Sequence, residues 1–345
     1  MRSSALDGAT EDERTAVSGG SQTILSPEQA TTLAMDVLAR LGFDEDDSSR
    51  IAKHLVEAEL SGSPMMGLIR LKLIADLVEK ARPGTIRVER DGPTHALIDG
   101  AGNPGYLSAD VAMEIAIGKA RETGIAMVGI KNSSLAGMAG HYALQAAEAG
   151  LIGLVYVSSY GRVAPHGGTQ PVLGTNPMAF GFPATPYPVL VDASTSTISN
   201  GQVEISRLLG VELPPDCALD ADGRPTRDPV AAQQGALLPA AQHKGFGFAI
   251  AMQLLGMLVG GDAVPQGLGN QGIMVMAVDP TVFTPLEDYM AHIQELIGAV
   301  KQSAPAPGVE EILIPGEGRM RRRERILREG IPVGPELRTM LETLG

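Results

Sequence analysis

The 345-residue chain has one cysteine and no tryptophan. A lone thiol, Cys217, excludes an internal disulfide framework and a cysteine-based zinc cluster, so no metal centre is expected. It suits a reducing compartment, and a cytoplasmic location is expected. No apolar run reaches the roughly 18 residues that a membrane helix needs. The opening stretch MRSSALDGATEDERTAVSGGSQ lacks the apolar centre of a signal peptide and is rich in small polar residues, so residues 1–24 are expected to be a disordered tail. An excess of cations is missing as well. The net charge of −13 repels nucleic acid and anionic membrane surfaces. The one basic run, GRMRRRERILREG (318–330), has no interleaved aromatics and reads as a solvated or inter-subunit helix.

What is present is ordinary globular material: 44 % hydrophobic residues, 19 % charged, and 42 glycines that suit close helix–sheet packing and ligand loops. The length allows two or three domains. SPEQ (26–29) carries a capping box with proline at the first helical position, and predicts a helix running to Gly42. Further helices are predicted near 46–60 and 67–80. From residue 94 the pattern alternates: THALID (94–99), GIAMVGI (124–130) and LIGLVYVSS (151–159) read as strands, with helices over 107–122 and 139–150 between them. Residues 160–202 are rich in Gly, Pro, Thr and Ser with short strands such as VLVDAS (189–194), and 211–236 reads as a turn-rich surface excursion. KGFGFAIAMQLLGMLVGG (244–261) predicts a buried apolar helix, GIMVMAVD (272–279) a strand, and 285–303 an amphipathic helix. These elements predict a mixed α/β fold.

GAGNPG (100–105) matches the glycine pattern of a Rossmann phosphate loop and lies between a predicted strand and helix. Pro104 removes an amide that should face phosphate. The next strand ends in Ile130, Lys131 and Asn132, not in an acid for the ribose hydroxyls, and Glu122 falls at a helix end. A plain turn is the favoured reading, with a Rossmann dehydrogenase kept as an alternative.

Five stretches together point elsewhere: GRVAPHGGTQPVLGTNPMAFGFPA (161–184), VDASTS (191–196), ALDADGRPTRDP (218–229), GALLPAAQHKGFGFAIAMQLLGMLVGG (235–261) and LIPGEGR (313–319). In this order and spacing the chain, over about 25–345, resembles the malate/L-lactate dehydrogenase family of the non-Rossmann type. The resemblance implies a mainly antiparallel sheet in a cofactor-binding domain (94–284) and a helical domain made of 25–93 and 285–345. It also implies a homodimer, NADH or NADPH as cofactor, and hydride transfer at C2 of a small 2-oxo or 2-imino acid, a carboxylate. No residue distinguishes NADH from NADPH. By position, the family's cofactor contacts fall on Ser159, on Ala193, Ser194 and Thr195, on Lys244 and Gly245 at the start of the apolar helix, and on Gly316 and Glu317. Glycine-rich turns and a helix start suit a diphosphate, and Lys244 adds a point charge there.

The resemblance breaks at the acid. The family carries Ser-His-Gly where this chain has Met65-Met66-Gly67, and a second His where this chain has Leu135. The family's catalytic Asp is retained as Asp192, and the expected carboxylate anchor as Arg70. A positioned acid contributes about 10²–10⁴-fold to such a reaction, and neither methionine nor leucine can supply a proton. His141, His166 and His243 are alternative donors, with His141 preferred. An iminium arrives already protonated, so the loss favours a 2-imino acid or an unusual 2-oxo acid. A non-redox role that keeps the cofactor pocket is the alternative.

Overall fold

The computed structural model describes residues 22–267 and 269–344. Most of the expected tail lies outside these residues, but its last part does not: Thr23–Leu25 forms strand β1. Helix α1 (Pro27–Arg40) follows, with the reciprocal cap predicted from SPEQ: the Gln29 amide donates to Ser26 Oγ (3.2 Å) and the Ser26 amide to Gln29 Oε1 (2.8 Å). Helix α2 (Glu45–Leu60) is capped by Asp44. The third helix, α3 (Leu71–Lys80), starts later than predicted, because residues 64–66 and 68–70 form two short 3₁₀ turns broken at Gly67.

The chain continues through β2 (Arg87–Gly92), β3 (His95–Asp99), α4 (Gly105–Thr123), β4 (Ile125–Ser133), α5 (Ala139–Glu148), β5 (Ile152–Val157), β6 (Met178–Phe182) and β7 (Val189–Ala193). Next come α6 (Asn200–Leu209), β8 (Ala218–Leu219), β9 (Pro225–Thr226), α7 (Pro229–Gln234), β10 (Ala236–Leu237), α8 (His243–Leu258) and β11 (Gln271–Val278). The end is α9 (Leu286–Lys301), α10 (Glu317–Glu329), β12 (Ile331–Val333) and α11 (Pro335–Thr343).

The central sheet has seven strands in the order β2-β3-β4-β11-β5-β6-β7. All neighbours pair antiparallel except β3 and β4. A doubly wound Rossmann sheet is parallel, so the expected mixed α/β fold holds and the Rossmann alternative falls. The GAGNPG turn agrees. Its amides are used inside the protein: Ala101 donates to Asp99 Oδ1, Gly102 to Asn132 O, Asn103 to Gly100 O and Gly105 to Ser134 O. No amide row is left for a pyrophosphate.

One core lies between this sheet and α4 and α5, built from small and β-branched residues such as Ala112, Ala116, Val128, Ile130, Val155 and Val275. A second gathers α1, α2 and α3 with the returning C-terminal segment: Leu38, Ile51, Leu55 and Leu71 pack with Ile326, Ile331 and Leu341, and β1 pairs antiparallel with β12. Among the described residues no helix is long and apolar enough to cross a membrane.

Two expectations need adjustment. Residues 211–236 run over the surface as expected but are also anchored: Leu213, Cys217, Ala218 and Ala232 are buried in a third small core, which includes residues of the three-stranded sheet β10-β8-β9. The apolar helix α8 is not buried all round. It seats Gly245, Ala249, Met252, Gln253 and Gly256 inward, while Phe248, Leu254 and Leu258 are 51 %, 58 % and 74 % exposed. The inward edge is flat because it is glycine against glycine: a Cβ on Gly272 of β11 would lie 2.1 Å from Gly256 O.

Candidate active site

Ser159 follows β5, and its position is fixed by Asn176 in the LGTNP turn. Asn176 is fully buried with φ 34°, a left-handed conformation that asparagine tolerates better than most residues. Its Oδ1 accepts from the Ser159 amide (2.8 Å) and hydroxyl (3.3 Å), and its Nδ2 donates to Ala249 O (2.9 Å) and Gln253 Oε1 (3.1 Å) on α8. One side chain thus ties the end of β5 to α8.

The neighbouring Thr175 carbonyl accepts from both the amide and the hydroxyl of Thr195 (2.9 Å each). Thr195 O in turn accepts from the Ala240 amide (2.9 Å), and a Cβ on Gly245 would lie 2.8 Å from Thr195 O. Ser194 Oγ turns back onto Ser196 O (3.1 Å), and Ala193 is exposed. The sequence-predicted residues Ser159, Ala193, Ser194, Thr195 and Gly245 therefore surround one place, the junction of β7 with the start of α8. Ala241 and Gln242 reach α8 with φ of 47° and 57°, and no side chain caps the helix. Lys244 is exposed there and has no acidic partner among the described residues. An uncapped helix start with a free ammonium is the donor set that a diphosphate fits.

Asp192 ends β7. Its Oδ2 accepts from the Gly140 amide at the start of α5 (2.9 Å) and lies 3.8 Å from Arg319 Nη1. A Cβ on Gly140 would clash with both, at 2.4 and 2.9 Å. Arg319 is held by Ser61 Oγ (2.9 Å), and its Nη2 is buried without a partner. The Asp192 side chain is 26 % accessible. Crowding by protein raises its pKa above the ordinary carboxylate range, against the opposing pull of Arg319 and the Gly140 amide. Gly316 (φ 91°) packs under Leu190, whose amide donates to Pro315 O (3.0 Å). The PGE turn thereby docks α10 on β7 and brings Arg319 to Asp192. Glu317 itself is occupied by Lys301, Arg321 and the Ile314 amide.

Arg70 lines a cavity of about 520 Å³ together with Met65, Tyr160 and Arg162. Tyr160 adjoins Ser159, so this cavity and the cofactor-type loops are neighbours. Arg70 is steered by Met65 O, to which its Nε donates, and by Met66 Sδ (3.2 Å).

Neither Asp192 nor His141 is among the residues lining that cavity. His141 packs behind Asp192, on the same helix start as Gly140. It is 5 % exposed and packs on His54 with ring centroids 4.5 Å apart. Burial lowers its pKa to about 4, and lowers that of fully buried His54 well below the ordinary value. The His141 ring nitrogen Nε2 lies 3.3 Å from Gln145 Nε2, and the residue before it, Gly140, holds Asp192. Leu135 is buried in the helical core. His166 and His243 are exposed, 6.1 Å apart between ring centres.

The Arg-rich run also departs from the solvated reading. Arg323 pairs with Glu57 (2.8 Å), Arg322 donates to Ser61 O (3.3 Å) and Arg319 turns to Asp192. Sequence reasoning missed Asn176, Arg319, Tyr160, Arg162 and His54. Asn176 had a signal, an asparagine between threonine and proline in a quoted motif, whereas Arg319 was masked by the arginines around it.

The family described as malate/L-lactate dehydrogenase matches residues 25–342. The chain belongs to this family. It is 35 % identical over 328 residues to L-sulfolactate dehydrogenase of Methanothermobacter thermautotrophicus, covering 91 % of this chain and 94 % of that one. It is 33 % identical over 340 residues to Delta(1)-pyrroline-2-carboxylate reductase of Ancylobacter novellus, covering 93 % and 97 %. The solved sulfolactate dehydrogenase from Methanocaldococcus jannaschii superposes with a TM-score of 0.87 at 31 % identity, covering 93 % of this chain and 96 % of that one. This member of the family is accordingly an oxidoreductase of mixed α/β fold.

Proposed function

We propose that this oxidoreductase moves a hydride between NADH or NADPH and C2 of a small 2-oxo or 2-imino acid. The observation that carries the reading is the contiguity of two sites: the expected carboxylate anchor Arg70 and the neighbour of Ser159 line one cavity. A bound nicotinamide supplies or accepts the hydride. The uncapped start of α8 and Lys244 would hold its diphosphate, with the loop 193–195 beside them. Arg70 holds the substrate carboxylate. Asp192 offers Oδ1 for proton exchange, because Oδ2 is taken by Gly140 and Arg319. Met65 gives the pocket an apolar, adaptable wall, Met66 sits behind it on Arg70, and neither is an acid, which favours a substrate that brings its own proton, an iminium.

The protein is read as a cytoplasmic homodimer. The exposed apolar face of α8 is the surface that a second copy would cover, and the free, buried Cys217 suits a reducing compartment.

Titration with NADH and NADPH, followed by nicotinamide emission, should saturate for at least one of them. The absence of tryptophan keeps the protein background low. Lys244→Ala should weaken that binding about tenfold, the worth of one charge-assisted contact. No binding of either nucleotide by folded protein would overturn the reading. A second test separates the substrate classes. Met66→His should raise turnover of 2-oxo acids more than that of cyclic 2-imino acids, and equal rises in both would exclude the imine preference.

A further inference from the structure

What surrounds the Asp192 carboxylate decides whether it gives a proton or takes one. Both protein groups on Oδ2 are donors: the Gly140 amide at 2.9 Å and Arg319 Nη1 at 3.8 Å. A neutral carboxylic acid needs an acceptor for its own proton, and neither of these is one. Donors alone favour the charged form.

Arg319 is fixed in this place. Its side chain is 11 % accessible, and its Nε donates to Ser61 Oγ (2.9 Å) at the end of α2. Gly140 leaves room for the two to meet, since a Cβ there would lie 2.4 Å from Asp192 Oδ2 and 2.9 Å from Arg319 Nη1. Arg319 Nη2 is buried and has no hydrogen-bond partner among the described residues. A buried unpaired donor is costly, so packing stability alone does not account for a guanidinium here.

Other charged and titratable groups pack around the pair: Lys53, His54 and Glu57 on α2, His141 and Glu148 on α5, and Arg323 on α10. Glu57 is engaged by Arg323 at 2.8 Å. Burial lowers both histidines, His141 to about 4 and His54 well below its ordinary value, so neither adds a cation near pH 7. Burial and Glu57 push Glu148 up. Arg319 is thus the cation within ion-pair range of Asp192 among the described residues. Burial of Asp192 raises its pKa, and Arg319 and the Gly140 amide are the two groups that oppose it.

We propose that Arg319 is a positioning residue that keeps Asp192 an ionised carboxylate, so that Asp192 accepts a proton and does not supply one. The consequence for the reaction rests on the functional reading above; the charge state rests on the geometry alone. It fixes what the substrate must bring. When a reduced nicotinamide nucleotide reduces an iminium, a hydride forms the C2–H bond, the C=N π pair becomes the nitrogen lone pair, and no proton moves. An ionised Asp192 leaves that step unhindered, whereas the oxygen of a 2-oxo acid finds no proton on it. In the reverse sense, the O–H bond of a 2-hydroxy acid breaks towards Asp192, its electron pair closes the C=O bond, and the C2 hydrogen leaves with its pair to the oxidised nucleotide.

Carbon-13 NMR of the full-length protein, labelled at the aspartate γ-carbon, reads the charge state without substrate or nucleotide. The resonance missing from Asp192→Asn belongs to Asp192. In the wild type it should be that of a carboxylate at neutral pH. Arg319→Gln should weaken the acidity of Asp192 about tenfold or more, the effect of losing one opposite charge at this range. Arg319→Lys, which keeps the charge, should restore most of the difference. An unmoved midpoint in Arg319→Gln overturns the proposal, as does a wild-type Asp192 still protonated at neutral pH. Equal movement in the Lys and Gln variants marks a packing effect and overturns it too. Should Arg319→Gln fail to fold, Ser61→Ala carries the test: it frees Nε and loosens the guanidinium, so the midpoint should rise by a smaller step, and no rise overturns the assignment. Absence of nucleotide binding with the NMR result intact would instead sink the redox reading alone.

Discussion

Asn176→Ala is expected to cost about 3–5 kcal/mol of folding stability and to weaken nucleotide binding with it. The substitution leaves Ala249 O, Gln253 Oε1 and the Ser159 amide without their buried partner. Each unsatisfied group costs about 1–3 kcal/mol, and alanine is less at ease than asparagine at φ 34°. Asn176→Asp should be similarly damaging although it is isosteric, because a carboxylate would then face two acceptors on α8. Urea midpoints of both variants measure the effect. A loss under about 1 kcal/mol in each would mean that water takes over the amide's bonds and that the turn is not pinned as described.

Acid should destabilise the protein well before its ordinary carboxylates titrate. Burial lowers the pKa of His141 to about 4, and burial, His141 and Arg319 lower that of His54 well below its ordinary value. In the unfolded chain both titrate near 6.5. Between these values the unfolded state binds more protons, so stability is complete above about pH 6.5 and falls as the pH drops toward 4. By pH 5 the loss from His141 is about 2 kcal/mol, and His54 adds to it in the same direction. Asp192 acts in the opposite sense, because its pKa is raised, but Arg319 and the Gly140 amide hold that shift back. Chemical denaturation at pH 7.5, 6 and 5 tests this. A flat profile would show that the pair is hydrated, and His141→Gln should flatten part of the slope.

The helices and strands were legible where a local signal and the tertiary structure agree. The SPEQ cap, the strand at 272–279 and the start of α8 at Lys244 are of this kind. The helix α6 was readable but unread: Ser199 and Gln202 form a reciprocal cap and Gly210 closes the helix in a left-handed conformation. What no local pattern carries is which face of an element meets what. Periodicity cannot say that α8 is apolar all round yet buried on one edge, because that depends on the glycine of a strand that comes later. Nor can it select Arg319 from a run of arginines, since the choice is made by the distance to Asp192 across 127 positions of chain. The family motifs located Asp192, Ser194, Thr195 and Gly245 in one neighbourhood. The same motifs marked Asp192 but not its surroundings, in which the Arg319 guanidinium lies 3.8 Å from the carboxylate.

The contact between Gly256 and Gly272 gives α8 a fulcrum. Lys244 lies twelve residues away on the same rigid rod, about 18 Å at the rise of an α-helix. Side chains at such a crossing could yield, but two backbones touching without side chains cannot. Adding even one methyl group there would have to tilt the helix, and a tilt of about 3° swings its start by about 1 Å, by the same geometry. On the proposed reading of the start of α8, affinity for a diphosphate would be geared to a contact that no ligand reaches.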